Sequence, residues 1–308
     1  MDICVWDKCN NNCLMCTNPD RPWPAWDGSF DYSYESLIKR IKKSEKEIKT
    51  YDSIYLGGGE PTLHPAFLKV LNFVSKNFPK QRIKLLTNGR KFLYRDFTKE
   101  VLSITNNLDI ELSIYGPNKK AHEAVTRASN SFEQTMQGLK NLLDYKKEDQ
   151  LINVRFVITK LSYKSLEEFL KLMGERFSST DRIMIIFWEV ENQAVKNIKA
   201  VKVTYNQVSP YLGKLYPLLG NFKEIRLYHF PLCALSEKFW PYVWRTLDKD
   251  EVIFNSSCAK CQYRKYCLGI PKEYSKHMGI KEFKPIKENF NIKERKNIYQ
   301  PILSINKK

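Results

Sequence analysis

The strongest constraint on the fold is an alternation of short apolar runs with longer amphipathic segments over the first 190 residues. The apolar runs predict strands at 2–6, 53–56, 82–86, 109–114, 152–158 and 183–189. The segments between them predict helices at 34–49, 65–76, 96–104, 131–145 and 163–175. Six such alternations indicate an α/β fold with a parallel sheet and right-handed crossovers. Periodicity alone does not decide between a partly closed barrel and an open, doubly wound sheet.

The alternation stops at residues 191–203, and the chain changes character beyond that point. A helix is predicted at 206–219 and a strand at 224–229, and a cysteine-rich stretch follows. We therefore expect two domains, at 1–200 and 201–308, the second small and of α+β type.

Composition narrows the class of protein. Hydrophobic residues make up 43% of the 308 residues, which supports a sizeable core. No apolar run reaches the length of about 18 residues that a membrane span needs. Residues 1–16 lack the features of a signal peptide, so a cytoplasmic protein is expected. The net charge of +17 allows a nucleic-acid partner, but lysines spread over solvated helix faces, as in 39–49, are the favoured interpretation.

Seven of the eight cysteines fall into two groups, which favours metal binding over a disulfide framework. The two groups are Cys9, Cys13 and Cys16, and then Cys233, Cys258, Cys261 and Cys267. The first group has the spacing C-x3-C-x2-C after a predicted strand. Three thiolates can hold a [4Fe–4S] cluster and leave one iron open to another ligand. The alternative is a zinc site completed from elsewhere, although this spacing is unusual for zinc.

A second motif, Gly57-Gly58-Gly59-Glu60-Pro61-Thr62, directly follows the strand predicted at 53–56. Glycines let a backbone approach a ligand closely, and the carboxyl end of a parallel strand is where such folds bind ligands. The alternative is an ordinary strand-to-helix turn. The spacing is not that of a dinucleotide-binding fingerprint.

Together the two motifs resemble the radical S-adenosylmethionine (radical SAM) superfamily over roughly residues 1–190. The resemblance implies a partial (β/α)6 barrel, with Cys9, Cys13 and Cys16 holding a [4Fe–4S] cluster. It also implies that the Gly58-Gly59-Glu60 motif holds the methionyl amine of SAM. The family usually has an aromatic residue before the last cysteine, and this chain has Met15, which can still pack on adenine.

Three further positions match the family's pattern of SAM contacts. Asn88 stands at the end of the third predicted strand, and Ser113 ends the fourth. Arg127 lies where related enzymes place an arginine facing the SAM carboxylate. Each has an ordinary alternative: a tight turn at Asn88, a strand hydroxyl at Ser113 and a surface helix residue at Arg127.

The resemblance also implies a chemistry and an electron donor such as flavodoxin or ferredoxin. In the family, SAM chelates the open iron, an electron from the cluster cleaves SAM, and the resulting 5′-deoxyadenosyl radical removes a substrate hydrogen. The cofactors carry this chemistry, and the protein positions them and excludes water.

The C-terminal cysteines suit either a structural Cys4 zinc site or a second iron–sulfur cluster. The stretch CAKCQYRKYCLG resembles the C-x2-C-x5-C core of twitch or SPASM extensions, which carry auxiliary [4Fe–4S] clusters. No cysteine follows three residues after Cys267, so one auxiliary cluster is expected rather than two. If Cys233 were not a ligand, an iron would stay open to substrate.

Three functions remain. The chain resembles enzymes that mature ribosomally made peptides, which favours crosslinking, epimerisation or oxidation of a peptide or protein side chain. A separate leader-peptide-recognition protein is then expected, because the barrel begins at residue 2. The second function is modification of a tRNA, nucleoside or small metabolite, and the third is a non-catalytic electron carrier. Trp23 and Trp26 could shield the cluster or contact substrate, or simply pack on the surface.

Overall fold

The structure is a computed structural model that describes residues 1–18 and 31–307. The segment containing Trp23 and Trp26 lies outside these residues. Within them, no helix is both long and apolar enough to cross a bilayer.

The centre of the molecule is a sheet of eight strands in chain order, each parallel to its neighbours. The strands are β1 (Asp2–Trp6), β2 (Ser53–Gly58), β3 (Arg82–Thr87), β4 (Leu108–Ser113), β5 (Leu151–Ile158), β6 (Arg182–Phe187), β7 (Ile225–Tyr228) and β8 (Val243–Trp244). A doubly wound sheet reverses its strand order at a switch point, whereas a β/α barrel keeps chain order. The expected partial barrel is therefore confirmed, and β7 and β8 extend the sheet beyond the six predicted strands.

Helices connect the strands of the barrel. They are α1 (Tyr34–Lys43), α2 (Glu45–Ile48), α3 (Phe67–Asn77), α4 (Arg95–Ile104), α5 (Lys119–Thr126), α6 (Ser131–Tyr145) and α7 (Leu166–Arg176). After β6 follow α8 (Asn192–Lys196), α9 (Ile198–Val201), α10 (Tyr205–Gly213) and α11 (Tyr216–Leu219). The helix predicted at 206–219 is divided because Pro217 cannot donate to the carbonyl of Gly213, where α10 ends.

Alternation along the strands separates two faces. Ile54, Leu85 and Ile110 belong to the buried apolar core. The opposite face of β2 to β6 points into the barrel and carries paired polar groups. There Lys84 donates to the Tyr55 hydroxyl at 2.7 Å, and Arg155 pairs with Glu111 at 2.7 Å.

The C-terminal region adds two small antiparallel sheets, which confirms the expected α+β character. β9 (Val252–Ile253) pairs with β10 (Ile270–Pro271), and β11 (Phe290–Glu294) pairs with β12 (Ile302–Lys307). Helix α12 (Lys272–Met278) follows β10 directly. The strand predicted at 224–229 is β7, which joins the main sheet beside β6. The predicted boundary at residue 200 stays a prediction.

Candidate functional site

One cavity of about 1010 Å³ lies where the strands of the barrel end. It is lined by Cys9, Asn11, Cys13, Met15, Cys16, Thr17, Asn18, Gly57, Gly58, Gly59, Leu86, Thr87, Asn88, Ser113, Tyr115, Arg155, Val157, Ile186 and Glu189. The cavity thus brings together the first cysteine motif, the glycine motif and both predicted strand-end contacts, Asn88 and Ser113.

The three N-terminal cysteines form no disulfide and line one wall of this cavity. The backbone N–H of Asn11 donates to the Cys9 sulfur at 3.4 Å, and the Asn88 amide lies 3.8 Å from the same atom. The Tyr115 hydroxyl hydrogen-bonds to Cys13. Donors aimed at a sulfur favour its anionic, metal-binding form. This donor set therefore fits an iron–sulfur cluster.

Burial raises the pKa of Cys9 and Cys13 above the ordinary thiol value. Each of these two thiols also lies close enough to Cys16 for like charges to disfavour joint ionisation. A bound metal removes these protons, because a coordinating thiol is deprotonated outright. Cys9 and Cys13 are therefore held neutral until a metal centre binds them.

The cysteine loop is anchored on two sides. The backbone N–H groups of Asn12 and Leu14 donate to the last turn of α5, at 2.8 and 3.1 Å. On the other side, the Gln193 N–H donates to the Cys16 carbonyl at 3.1 Å. The Asn197 amide donates to the Leu14 carbonyl, also at 3.1 Å. Helices α5 and α8 thus fix the backbone between the thiols.

Two arginines bind the same loop from outside the cavity. Arg90 donates to the Asn11 side chain at 2.9 Å and to Gln134 at 2.7 Å. Arg127 donates through Nε to the Asn12 carbonyl at 2.8 Å. Arg127 is exposed and has a left-handed backbone with φ of 51°, which ends α5. The structure thus places Arg127 behind the cysteine loop, although the sequence predicted a contact with the SAM carboxylate.

The glycines are required by the close approach of two backbone segments. Gly58 has φ of 116°, and a Cβ atom there would lie 2.3 Å from the Trp6 carbonyl oxygen. A Cβ atom at Gly59 would lie 2.4 Å from the Lys8 carbonyl oxygen. The Gly59 N–H instead donates to Trp6 at 2.7 Å. Any side chain here would push β2 away from the segment that leads into the cysteine loop.

Glu60 turns away from the cavity and is only 1% exposed. Its Oε1 accepts from the Thr62 hydroxyl at 2.6 Å, the Thr62 N–H at 3.2 Å and the Thr87 hydroxyl at 2.7 Å. Its Oε2 accepts from the Asn88 N–H at 2.6 Å. Burial raises the pKa of Glu60, against the opposite effect of these donors. The carboxylate therefore ties the end of β2 to the end of β3, whereas the sequence predicted a contact with SAM.

The other predicted contacts do line the cavity. The Asn88 amide donates to the Asn10 side chain at 2.6 Å and so reaches the cysteine loop. Met15 is buried, and Ser113 lies at the end of β4. These three side chains surround the space next to the thiols.

Among the side chains of the cavity that sequence reasoning missed are Tyr115, Arg155 and Glu189. Arg155 extends from β5, and its Nη1 donates to the buried Glu111 carboxylate at 2.7 Å. Glu111, Ser113 and Arg155 share the inward parity of neighbouring strands. The signal that could have found Arg155 is therefore a charged residue at an inward position in the middle of a predicted strand.

A second cavity, of about 350 Å³, lies in the C-terminal region and is lined by all four remaining clustered cysteines. They are Cys233, Cys258, Cys261 and Cys267. The N–H groups of Leu232 and Gly269 both donate to the Cys267 sulfur at 3.4 Å. Burial raises the pKa of Cys233 to about 12. Four thiols around one apolar space fit a fully ligated iron–sulfur cluster.

In residues 1–18 and 31–307, no three His, Cys, Asp or Glu side chains converge tightly enough to hold a single metal ion. A four-iron cluster is larger than one ion and spaces its ligands more widely, so it does not require such close convergence.

A family model described as the radical SAM superfamily matches residues 3–173, more than half of the chain. The chain therefore belongs to the radical SAM superfamily, whose enzymes use a [4Fe–4S] cluster and SAM.

Two curated relatives show how the chain relates to characterised proteins. The Pyrococcus furiosus tungsten-containing aldehyde ferredoxin oxidoreductase cofactor-modifying protein is 26% identical over 74% of this chain and 62% of its own length. Mycofactocin maturase MftC of Mycobacterium tuberculosis is 29% identical over 59% of this chain and 44% of its own length. The chain thus spans less than two thirds of either relative.

Among solved structures, Streptococcus suis SuiB bound to S-adenosylmethionine is similar in fold, with a TM-score of 0.62 and 15% sequence identity. The similarity covers 93% of this chain and 76% of SuiB. SuiB bound to precursor peptide SuiA gives a TM-score of 0.56. At this identity, the likeness establishes the fold alone.

Proposed function

We propose that Cys9, Cys13 and Cys16 bind the [4Fe–4S] cluster and that SAM occupies the cavity beside them. The proposal is supported by the three thiols on one wall and by the N–H donors aimed at Cys9. When bound, the cluster and SAM supply the radical that removes a hydrogen atom from substrate. The chain's own residues hold the cofactors, orient them and keep water out.

Within that cavity, Gly58, Gly59, Asn88, Met15 and Ser113 are proposed to contact SAM. Met15 offers a buried, polarisable surface suited to an adenine ring. Gly58 and Gly59 bring backbone to the cavity wall with no side chain of their own, and the Gly58 carbonyl oxygen also accepts from the Asn18 amide. Asn88 and Ser113 add polar groups that can fix orientation.

Arg155 is the arginine that we propose for the SAM carboxylate. It lines the cavity, and Glu111 holds one edge of its guanidinium group. A guanidinium has five donors, so the bond to Glu111 leaves others for a carboxylate. Arg127 and Glu60 act indirectly in this proposal, by holding the cysteine loop and Asn88 in place.

A second [4Fe–4S] cluster, held by Cys233, Cys258, Cys261 and Cys267, is proposed for the C-terminal region. The support is the shared cavity of all four thiols, with Cys233 beside the other three. Four protein thiolates complete the coordination of such a cluster. It would therefore carry electrons or tune potential and would leave no iron open to substrate.

The substrate is proposed to be a peptide or protein side chain, which the enzyme would crosslink, epimerise or oxidise. The observation that carries this proposal is the four-thiol cavity, because a closed auxiliary cluster cannot bind a small substrate through iron. The similarity to a mycofactocin maturase and the fold shared with SuiB, solved with a precursor peptide, add support. A reduced flavodoxin or ferredoxin and a separate leader-recognition protein complete the proposed system, in the cytoplasm.

A small cofactor is the second candidate substrate. One relative is named as a cofactor-modifying protein, and it is matched over a larger share of this chain than the maturase. A small substrate would have to fit in the barrel cavity beside SAM, within reach of Arg155 and Glu189.

The deciding experiment traces the hydrogen atom that the radical removes from substrate. The protein is reconstituted anaerobically, reduced with dithionite and given SAM together with deuterated candidate peptides encoded near its gene. Deuterium appearing in 5′-deoxyadenosine would identify the peptide as substrate. Deuterium arriving instead from a labelled nucleotide or metabolite would replace the peptide by the second candidate. Formation of 5′-deoxyadenosine should be lost in Cys13→Ala and retained in Cys4→Ala, a matched cysteine outside both groups.

A further inference from the structure

A basic groove lies directly beside the C-terminal cysteine cavity. Its charged lining consists of Arg245, Lys249, Arg264 and Lys265, and none of the described residues that line it is acidic. Lys265 is paired with Glu294 at 2.9 Å in an exposed contact that salt screens. Arg264 lies over the Phe254 ring at 4.8 Å. The groove therefore presents positive charge to any partner.

The sequence around the cysteines has the same bias. Between Cys258 and Cys267 stand Lys260, Arg264 and Lys265, and no acidic residue. An iron–sulfur cluster with thiolate ligands carries negative charge, which the neighbouring lysine and arginine side chains would neutralise. Towards solvent, the same cations favour an acidic partner and speed its association.

Two exposed apolar side chains, Ile298 and Tyr299, also line the basic groove. Ile298 is 73% exposed and Tyr299 55%, on the turn between β11 and β12. The turn is fixed from beneath, because Arg245 donates from Nε to the Ile298 carbonyl at 2.9 Å and from its backbone to Tyr299 at 2.7 Å. Apolar anchors surrounded by charged groups are the usual composition of a protein-binding surface.

Cys267 connects this surface to the cluster site. It is the one cysteine, among the described residues, that lines both the four-thiol cavity and the basic groove. A protein docked in the groove would therefore lie against a ligand of the proposed auxiliary cluster. That arrangement suits the passage of electrons better than the recognition of a substrate, whose reacting atoms must reach the barrel cavity.

We propose that the basic groove is the docking site for an acidic, one-electron carrier protein with a flavin or iron–sulfur centre. The carrier loses one electron and the auxiliary cluster gains it, and no bond is made or broken. The inference rests on the proposed function for the identity of that cluster, but the docking surface can be tested separately by binding.

The test measures association of oxidised flavodoxin, an acidic protein, with the cluster-loaded enzyme by surface plasmon resonance. In Lys249→Glu/Lys265→Glu, the association rate constant at low salt should fall about tenfold or more. The control Lys39→Glu/Lys43→Glu makes the same change in net charge on exposed positions of α1 and should stay within about twofold of wild type. At high salt the three proteins should converge.

A second variant, Ile298→Ser, tests the apolar centre without changing charge. It should raise the dissociation rate constant several-fold and leave the salt dependence unchanged. Equal slowing by the α1 control, or no effect of either groove variant, would overturn the proposal. The proposal would also be overturned if flavodoxin does not bind, and a tRNA probe binds instead and loses its binding in the same variants. Dithionite reduces the clusters without a docked carrier. Absence of 5′-deoxyadenosine from the wild-type enzyme with dithionite would therefore count against the proposed function, and not against the docking site.

Discussion

Replacing Glu60 by Gln tests whether this carboxylate supports the site from behind or binds SAM. Its two oxygens accept four hydrogen bonds: three at Oε1 from Thr62 and Thr87, and one at Oε2 from the Asn88 N–H at 2.6 Å. The side chain is buried, so water cannot replace a lost partner. A glutamine of the same shape keeps only one acceptor atom and introduces an amide that donates.

The expected loss of stability follows from the hydrogen bond between Glu60 and the Asn88 N–H, which glutamine cannot keep. If the glutamine oxygen stays with the three donors at Oε1, its amide faces the Asn88 N–H. A hydrogen bond to a charged group contributes about 1.5–3 kcal/mol, and a buried unsatisfied N–H costs about 1–3 kcal/mol. The two contributions overlap and the backbone relaxes, so we expect Glu60→Gln to lower the free energy of unfolding by about 2–4 kcal/mol.

The assay is urea unfolding of the cluster-free, reduced protein, which isolates the fold from cofactor binding. Glu100→Gln, at an exposed position of α4, is the matched control and should stay within about 0.5 kcal/mol of wild type. Unchanged stability in Glu60→Gln, together with a large loss of SAM affinity in the loaded enzyme, would refute this reasoning. It would mean that the carboxylate faces the ligand, as the sequence motif alone suggested.

Three further predictions address the fold and both cysteine sites. Burial lowers the pKa of His122 from 6.5 to about 4, so stability is lost as pH falls through that interval. Between about pH 7 and pH 4, the free energy of unfolding of His122→Asn, measured in urea, should fall by about 3 kcal/mol less than that of wild type, because Asn does not titrate. The Asn amide oxygen can still accept the backbone hydrogen bond that His122 accepts from Tyr115. Arg155→Lys should weaken SAM binding about tenfold in calorimetry, whereas Arg127→Lys should change it less than about twofold. Replacing both Cys233 and Cys267 by Ala leaves two thiolates at the C-terminal site and should lower the iron content from about eight to about four per chain.

The sequence predicted the barrel strands well because buried parallel strands leave a local signal. All six predicted strands are present within a few residues. Helix α5 was missed because it has only eight residues and begins with Lys119 and Lys120, which the helix dipole disfavours. Its start signal was Asn118, whose side chain accepts from the Ala121 N–H at 3.0 Å. The pairing of β7 with β6 and β8 is a tertiary contact that no local pattern reveals.

The sequence predicted which residue types lie near the candidate site better than it predicted where their side chains point. The structure brings the three N-terminal thiols to one cavity with Asn88 and Ser113, as the motif spacing suggested. A motif does not state where a side chain points, and Glu60 and Arg127 both turn to neighbouring backbone groups instead. Only the folded chain shows that these two residues have nearby partners to satisfy.

The polar interior of the barrel gives a physical reason to look for function at Arg155. A buried ion pair contributes little to stability compared with apolar groups of similar size, so stability alone does not explain its presence. Glu111 is nearly fully buried and would be left as an uncompensated charge without Arg155. The pair therefore fixes a guanidinium group at the wall of the cavity, and the attraction between the two charges offsets part of the cost of burying them. Such an arrangement is useful where an anionic group must be held in one orientation, which is what the SAM carboxylate beside an iron cluster requires.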